Sequence, residues 1–109
     1  MIIRTIILFI SFSYGQNIDL YLSLIDEGKT EGVKENLQEL VSKYPNDPGV
    51  FYIKALLTQN GKSSIDIYKD IIKNYPNTRY APYSAMKIGE YFYARGLYTQ
   101  AAALLKNIP

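Results

Sequence analysis

The sequence predicts an all-α chain of three antiparallel helical hairpins stacked as a short right-handed solenoid. Three observations carry that prediction. The tetrapeptides Lys43-Tyr44-Pro45-Asn46 and Asn74-Tyr75-Pro76-Asn77 recur, with their tyrosines 31 positions apart. Each is preceded by an amphipathic run headed by a glycine, Gly28 and Gly61, and Gly96 opens a third run. The apolar residues of these runs keep a helical period. Val33, Leu37, Leu40, Val41 and Tyr44 fall at i, i+4, i+7, i+8 and i+11, and Leu97, Ala101, Leu104, Leu105 and Ile108 repeat those offsets. Internal similarity at such a period marks stacked units that each bury a face on the next.

Taken in order, the first segment is an address. Residues 1–15 carry one positive charge at Arg4, an apolar stretch from Ile6 to Phe12, and small residues Ser13 and Gly15 ahead of Gln16. This is the layout of a secretory signal peptide, with cleavage expected after Gly15. The apolar stretch is much shorter than the ~20 residues needed to cross a bilayer, so no transmembrane span is expected after cleavage. Residues 16–109 then form the repeat domain, with hairpins at about 17–44, 48–75 and 80–108.

The first helix of each hairpin is expected at Ile18, Tyr21, Leu22 and Ile25, at Val50 to Leu57, and at Ala85, Ile88, Gly89 and Phe92. Gly28 and Gly61 suit left-handed caps at the ends of first helices, with Thr30 and Ser63 capping the second helices by their hydroxyls. Pro45 and Pro76 cannot continue a helix and bias Tyr44 and Tyr75 away from helical geometry. The third run would meet its own proline near position 113, so the array is expected to continue beyond Pro109.

Composition removes several function classes. The 109 residues are 48% hydrophobic and 14% aromatic, with a net charge of +2 and neither cysteine nor histidine. There is no thiolate nucleophile, no imidazole base and neither of the common zinc ligand types. The charge excess is too small for a nucleic-acid footprint. An exported chain without disulfides fits a bacterial periplasm. The charge is nevertheless polarised: residues 16–50 carry seven acidic side chains against three lysines, and residues 51–109 carry eight basic against three acidic. Two differing solvated helix faces and a polarised interaction surface are both consistent with this.

Gly89, Phe92, Gly96, Tyr98, Ala101 and Leu105 follow a small, aromatic, Gly, Tyr, Ala, large spacing, and Tyr75-Pro76-Asn77-Thr78-Arg79-Tyr80-Ala81-Pro82-Tyr83 leads into it. In these residues the chain resembles the tetratricopeptide-repeat family, in the form found in exported bacterial proteins of the BamD and YbgF kind. The resemblance covers about residues 43–108, with 17–42 fitting more loosely. It implies a TPR-like fold and a role in outer-membrane biogenesis or Tol-Pal coordination. A downstream peptidoglycan-binding domain, with the repeats as spacer, is the alternative. Three departures stand out: Ala55 lies only six residues before Gly61, implying a tighter middle turn; Ser64 replaces the packing alanine; and no lipid-bearing cysteine is present.

Several short motifs resemble catalytic ones. Gly28-Lys29-Thr30 and Gly61-Lys62-Ser63 match the end of a phosphate-binding loop, but the glycine needed five positions earlier is Ser23 and Leu56. Ser84-Ala85-Met86-Lys87 has the Ser-x-x-Lys spacing in which lysine can activate serine one turn away, giving a small envelope hydrolase as a rival reading. Asp26-Glu27 and the Asp66/Asp70 pair are the close carboxylates, and Lys62, Lys69 and Lys73 around the latter suggest surface ion pairs. No catalytic, cofactor-binding or metal-ligating residues are expected.

Tyrosine is the conspicuous residue, with 11 in the chain. Tyr44, Tyr68, Tyr75 and Tyr98 occupy packing positions. Tyr83, Glu90 and Tyr93 fall on the first helix of the third hairpin, on the face that lines the concave groove in the family it resembles, and Tyr52 and Gln59 are their counterparts in the second. Aromatic side chains there suit binding anchors, or burial under an adjoining repeat. The expectation is a non-catalytic adaptor binding another cell-envelope protein or an extended peptide, with self-association through an open C-terminal hairpin.

Overall fold

The computed structural model describes residues 14–106. Most of the expected leader, Ile108 and Pro109, and the side chains of Leu104 and Leu105 lie outside the described residues. Six helices and no strand occur among them: α1 (Tyr14–Asp26), α2 (Glu31–Lys43), α3 (Pro48–Leu57), α4 (Gly61–Asn74), α5 (Tyr80–Ala94) and α6 (Tyr98–Lys106). No helix among the described residues is long and apolar enough to cross a membrane. Each helix packs on the next in sequence. In addition α1 touches α3 and α3 touches α5, whereas α2, α4 and α6 do not touch one another. The odd-numbered helices thus line up as one contiguous row.

The two Tyr-Pro junctions fold alike. The N–H groups of Tyr44 and Tyr75 donate to Leu40 O and Ile71 O, closing the last turns of α2 and α4 at 2.9 and 2.8 Å. Both tyrosines then leave the helical region, at φ −130°, ψ 65° and φ −132°, ψ 52°, as a following proline demands. After the first junction Asp47 caps α3, its carboxylate accepting from Gly49 N–H at 2.8 Å with Pro48 as the first helical residue.

The turns within the pairs do not all follow the glycine rule. Gly28 (φ 80°) and Gly96 (φ 76°) are left-handed. Around the first, Gly28 N–H donates to Ile25 O and Lys29 N–H to Leu24 O; around the second, Gly96 N–H donates to Tyr93 O and Leu97 N–H to Phe92 O. This paired pattern satisfies the orphan carbonyls at a helix end. Gly61 behaves differently from expectation: it is the first residue of α4, and Asn60 caps that helix by accepting from Ser63 N–H at 3.0 Å. Ser63 is therefore capped and does no capping. Glycine at 61 leaves room for a ring, because a Cβ there would lie 2.5 Å from Cε2 of Tyr91 and would have to push that side chain aside.

The end of α3, lacking a glycine cap, is closed from α4. The buried Ser64 hydroxyl lies 2.9 Å from Thr58 O and 3.1 Å from Ala55 O, sharing its proton between two helix-end carbonyls. Serine at this position is what the tight turn uses. Thr30 precedes α2 but makes no side-chain cap, since its backbone is already helical at φ −92°, ψ −18°, whereas a capping residue sits in the extended region.

Two apolar cores share α3. Val50 and Ile53 join Ile18 of α1 and Val33 of α2. Tyr52 and Ala55 turn the other way, against Ile65, Tyr68 and Ile71 of α4 and Ile88 of α5. Each fully buried aliphatic side chain stabilises the fold by about 1.5–3 kcal/mol. A long-range contact spans the ends: Arg79 Nη2 donates to Asp19 Oδ1 at 2.6 Å and reaches Tyr80 Oη at 2.9 Å. Asp66 and Asp70, by contrast, make no ion pair among the described residues.

Candidate protein-binding groove

The row of odd-numbered helices carries an open groove of about 680 Å³, lined by Leu22, Ile25 and Asp26 of α1, Tyr52 and Leu56 of α3, and Tyr83 and Lys87 of α5. Its construction is periodic. Each helix contributes an i, i+4 pair: Leu22 and Asp26, Tyr52 and Leu56, Tyr83 and Lys87. Residues so spaced stand one above the other on a helix face, and the pairs follow one another at 30 and 31 positions. One level of the groove therefore reads Leu, Tyr, Tyr, and the next reads Asp, Leu, Lys. Across Leu56 and Lys87 it continues into a second hollow of about 390 Å³, lined also by Ser64, Tyr68, Glu90 and Tyr91.

The floor is aromatic. The Tyr52 ring lies 5.8 Å from Tyr68, 5.8 Å from Tyr80 and 5.9 Å from Tyr83, and Tyr80 meets Tyr83 edge-on at 6.1 Å. Such offset and edge contacts are favoured by the ring quadrupoles. Burial pushes the Tyr52 phenol up to about 12, with the charges of Glu90 and Tyr83 adding to it. The Tyr68 phenol is raised for the same reason, with smaller contributions from Tyr52 and Glu90. Both phenols are thus harder to ionise than a free tyrosine. Polarity at the rim comes from Asp26 on one wall and from Lys87 on the other, whose ammonium lies 3.6 Å from Glu90.

The five anchor residues expected from sequence are placed differently from one another. Tyr83 is on the groove wall and Glu90 in its continuation. Tyr52 is only 7% exposed and forms the floor. Gln59 lies in the α3–α4 connection, exposed but lining neither hollow, because α3 ends at Leu57. Tyr93 is exposed and turns toward α6, its ring 5.0 Å from that of Tyr98. Leu22, Ile25, Asp26, Leu56 and Lys87 were not anticipated; the 30- and 31-residue offsets linking Leu22, Asp26, Leu56 and Lys87 to their counterparts were the available signal.

The catalytic-looking motifs are also located. Ser84 has no exposed surface, and its hydroxyl has no hydrogen-bond partner among the described residues. As folded, no substrate reaches it. Gly28-Lys29-Thr30 lies in the α1–α2 connection and Gly61-Lys62-Ser63 forms the first turn of α4, and among the described residues no group of three or more Asp or Glu side chains could hold a metal ion. Compared with protein-family models, curated proteins and solved structures, the chain has no match.

Proposed function

We propose that this chain is a TPR-like helical repeat, three hairpins forming a short right-handed solenoid, that serves as a non-catalytic scaffold for protein binding in the bacterial cell envelope. The observation that supports it most is the periodic groove: equivalent positions of α1, α3 and α5 face one trough, and an extended peptide presents side chains at regular intervals to such a surface. Leu22, Tyr52, Leu56 and Tyr83 supply apolar contact area, while Asp26 and Lys87 at opposite walls set direction and register. The inaccessible Ser84 and the pairing of Lys87 with Glu90 weigh against the Ser-Lys hydrolase reading. The leader-like residues 1–15 support export to the periplasm, in an outer-membrane or Tol-Pal type role.

Two measurements test this reading. Peptide display against the full chain is expected to enrich segments with alternating apolar anchors that bind in the micromolar range and lose at least about tenfold with Tyr83→Ala or Lys87→Glu, a loss of about 1.4 kcal/mol. Absence of any enriched segment, or binding indifferent to both variants, contradicts the groove assignment. Residues 1–20 fused to a reporter active only outside the cytoplasm are expected to give activity that Leu8→Asp, a charge in the middle of the apolar stretch, abolishes. An inactive fusion removes the envelope.

A further inference from the structure

We propose that the molecule has a second site, between α4 and α6, that binds a fatty-acid carboxylate, with the acyl chain in an apolar pocket and the head held by Lys69 and Lys73. The pocket is the first observation. Both α4 and α6 pack on α5 but do not touch each other, and a hollow of about 500 Å³ lies where the three helices meet. Ile88 and Phe92 of α5, Ile72 of α4 and Ala103 of α6 give it its apolar lining. Ala103 stands 31 positions after Ile72, so α6 brings a methyl group where α4 brings a branched chain, which leaves room between them. By the 100° advance per residue of a helix, Ile88 and Phe92 lie about 140° round α5 from Tyr83 and Lys87. The pocket is therefore separate from the groove along the odd-numbered helices.

The second observation is the charge at its edge. Lys69 and Lys73, one turn apart on α4, are the charged residues that line the pocket. Both are exposed, and neither makes an ion pair among the described residues. Asp66 and Asp70 share the helix but do not line the pocket; Asp70 lines instead the cleft of Phe51 and Tyr75. A lysine lays its apolar stem along such a surface and keeps its ammonium at the rim, so the pocket complements a chain with an anionic head. The repeat itself does not call for these lysines. At the positions 31 residues earlier α2 carries Gln38, Val41 and Ser42, which keep the apolar residue and neither charge, and the counterpart of Phe92 is Gly61, beyond the end of α3. Size then selects the occupant. The volume lies in the range of small-molecule sites, and each helix contributes residues from one turn only, whereas a docked helix is held by anchors spread over two turns or more.

Decanoate, kept below its micellar concentration, is the probe, titrated into the isotope-labelled full chain and followed by amide chemical shifts. Saturable shifts centred on Ile72, Ile88 and Phe92 are expected, with a Kd below about 1 mM. Octanoate, shorter by two methylenes, is expected to bind about four- to sixteenfold more weakly, at about two- to fourfold per methylene according to its burial. Decyltrimethylammonium, which has the same chain and a cationic head, is expected to bind at least about tenfold more weakly than decanoate. Lys69→Glu with Lys73→Glu is expected to reverse that preference, while Lys34→Glu with Lys43→Glu, an equal change of net charge on α2, leaves it as it was. All four lysines are exposed, and unchanged thermal midpoints verify that both variants fold. Ala103→Leu, which fills the pocket without altering charge, is expected to weaken decanoate at least about tenfold. No saturable shift by about 5 mM, shifts spread over all six helices, equal binding of the two head groups, or a Lys69/Lys73 variant that binds decanoate as the wild type does would each overturn the proposal. The peptide test of the groove reads other residues, so either site can fail without the other.

Discussion

Tyr52 and Tyr83 hold equivalent positions 31 residues apart, on the same faces of α3 and α5, yet one is 7% and the other 40% exposed. Ala55 and Met86 repeat the contrast at 1% and 47%. The cause lies in neither residue. Tyr52 is roofed by Tyr80 and Tyr83 from α5, whereas no described element lies over Tyr83. Burial in this row of helices is delivered by the next pair, so the same side chain is core in one pair and available surface in the following one.

The largest effect that sharpens the contrast is truncation at the two tyrosines. Tyr52→Ala removes the ring on which three others pack and is expected to cost about 3–5 kcal/mol in urea unfolding, as for other buried aromatics. Tyr83→Ala is expected to cost less than about 1 kcal/mol. Equal costs would break the comparison.

Alkali should act through the covered ring next. The Tyr52 phenol ionises near pH 10 when unfolded and near 12 when folded. Below pH 10 both states are protonated and its contribution is fully present. Between pH 10 and 12 only the unfolded chain loses the proton, so stability falls as pH rises, by the order of 2 kcal/mol from this residue. Thermal midpoints measured across that window are expected to fall less steeply in Tyr52→Phe, and an unaltered slope would remove Tyr52 as the cause.

Two buried serines extend the comparison at smaller amplitude. Ser64→Ala takes away the proton shared by Ala55 O and Thr58 O and is expected to cost about 1–3 kcal/mol. Ser84→Ala removes a hydroxyl that has no partner among the described residues and is expected to be neutral or to stabilise by up to about 1 kcal/mol. Opposite signs for the same substitution are the outcome to look for. The smallest effect is at the exposed Asp19–Arg79 pair, where Asp19→Asn is expected to cost under about 1 kcal/mol and to fade further in high salt.

Much of this was legible in the residues. Helix pairs separated by Tyr-Pro follow from local chemistry, since proline and the apolar period act within a few positions. The Gly28 and Gly96 turns are local in the same sense. Gly61 was not, because its role depends on Tyr91, 30 positions away in sequence, and on Asn60 competing successfully to start α4. Of the groove, Tyr83 and Glu90 were readable from helical spacing. Tyr52 was placed on the right face but at the wrong depth, since its depth is set by α5. Gln59 fell off the groove because Thr58, whose hydroxyl bonds Lys54 O at 2.7 Å, marks the end of a helix shorter than its counterparts α1 and α5.

The central claim is that the trough along α1, α3 and α5 is where a partner segment lies. Hydrogen exchange of the full chain with and without a display-selected peptide tests it most directly. Slowed exchange is predicted in α1, α3 and α5 around Leu22, Leu56 and Lys87, with α2 and the outer surface of α6 unchanged. Protection confined to α2, α4 or α6 would place the partner on the other side of the molecule and contradict the account.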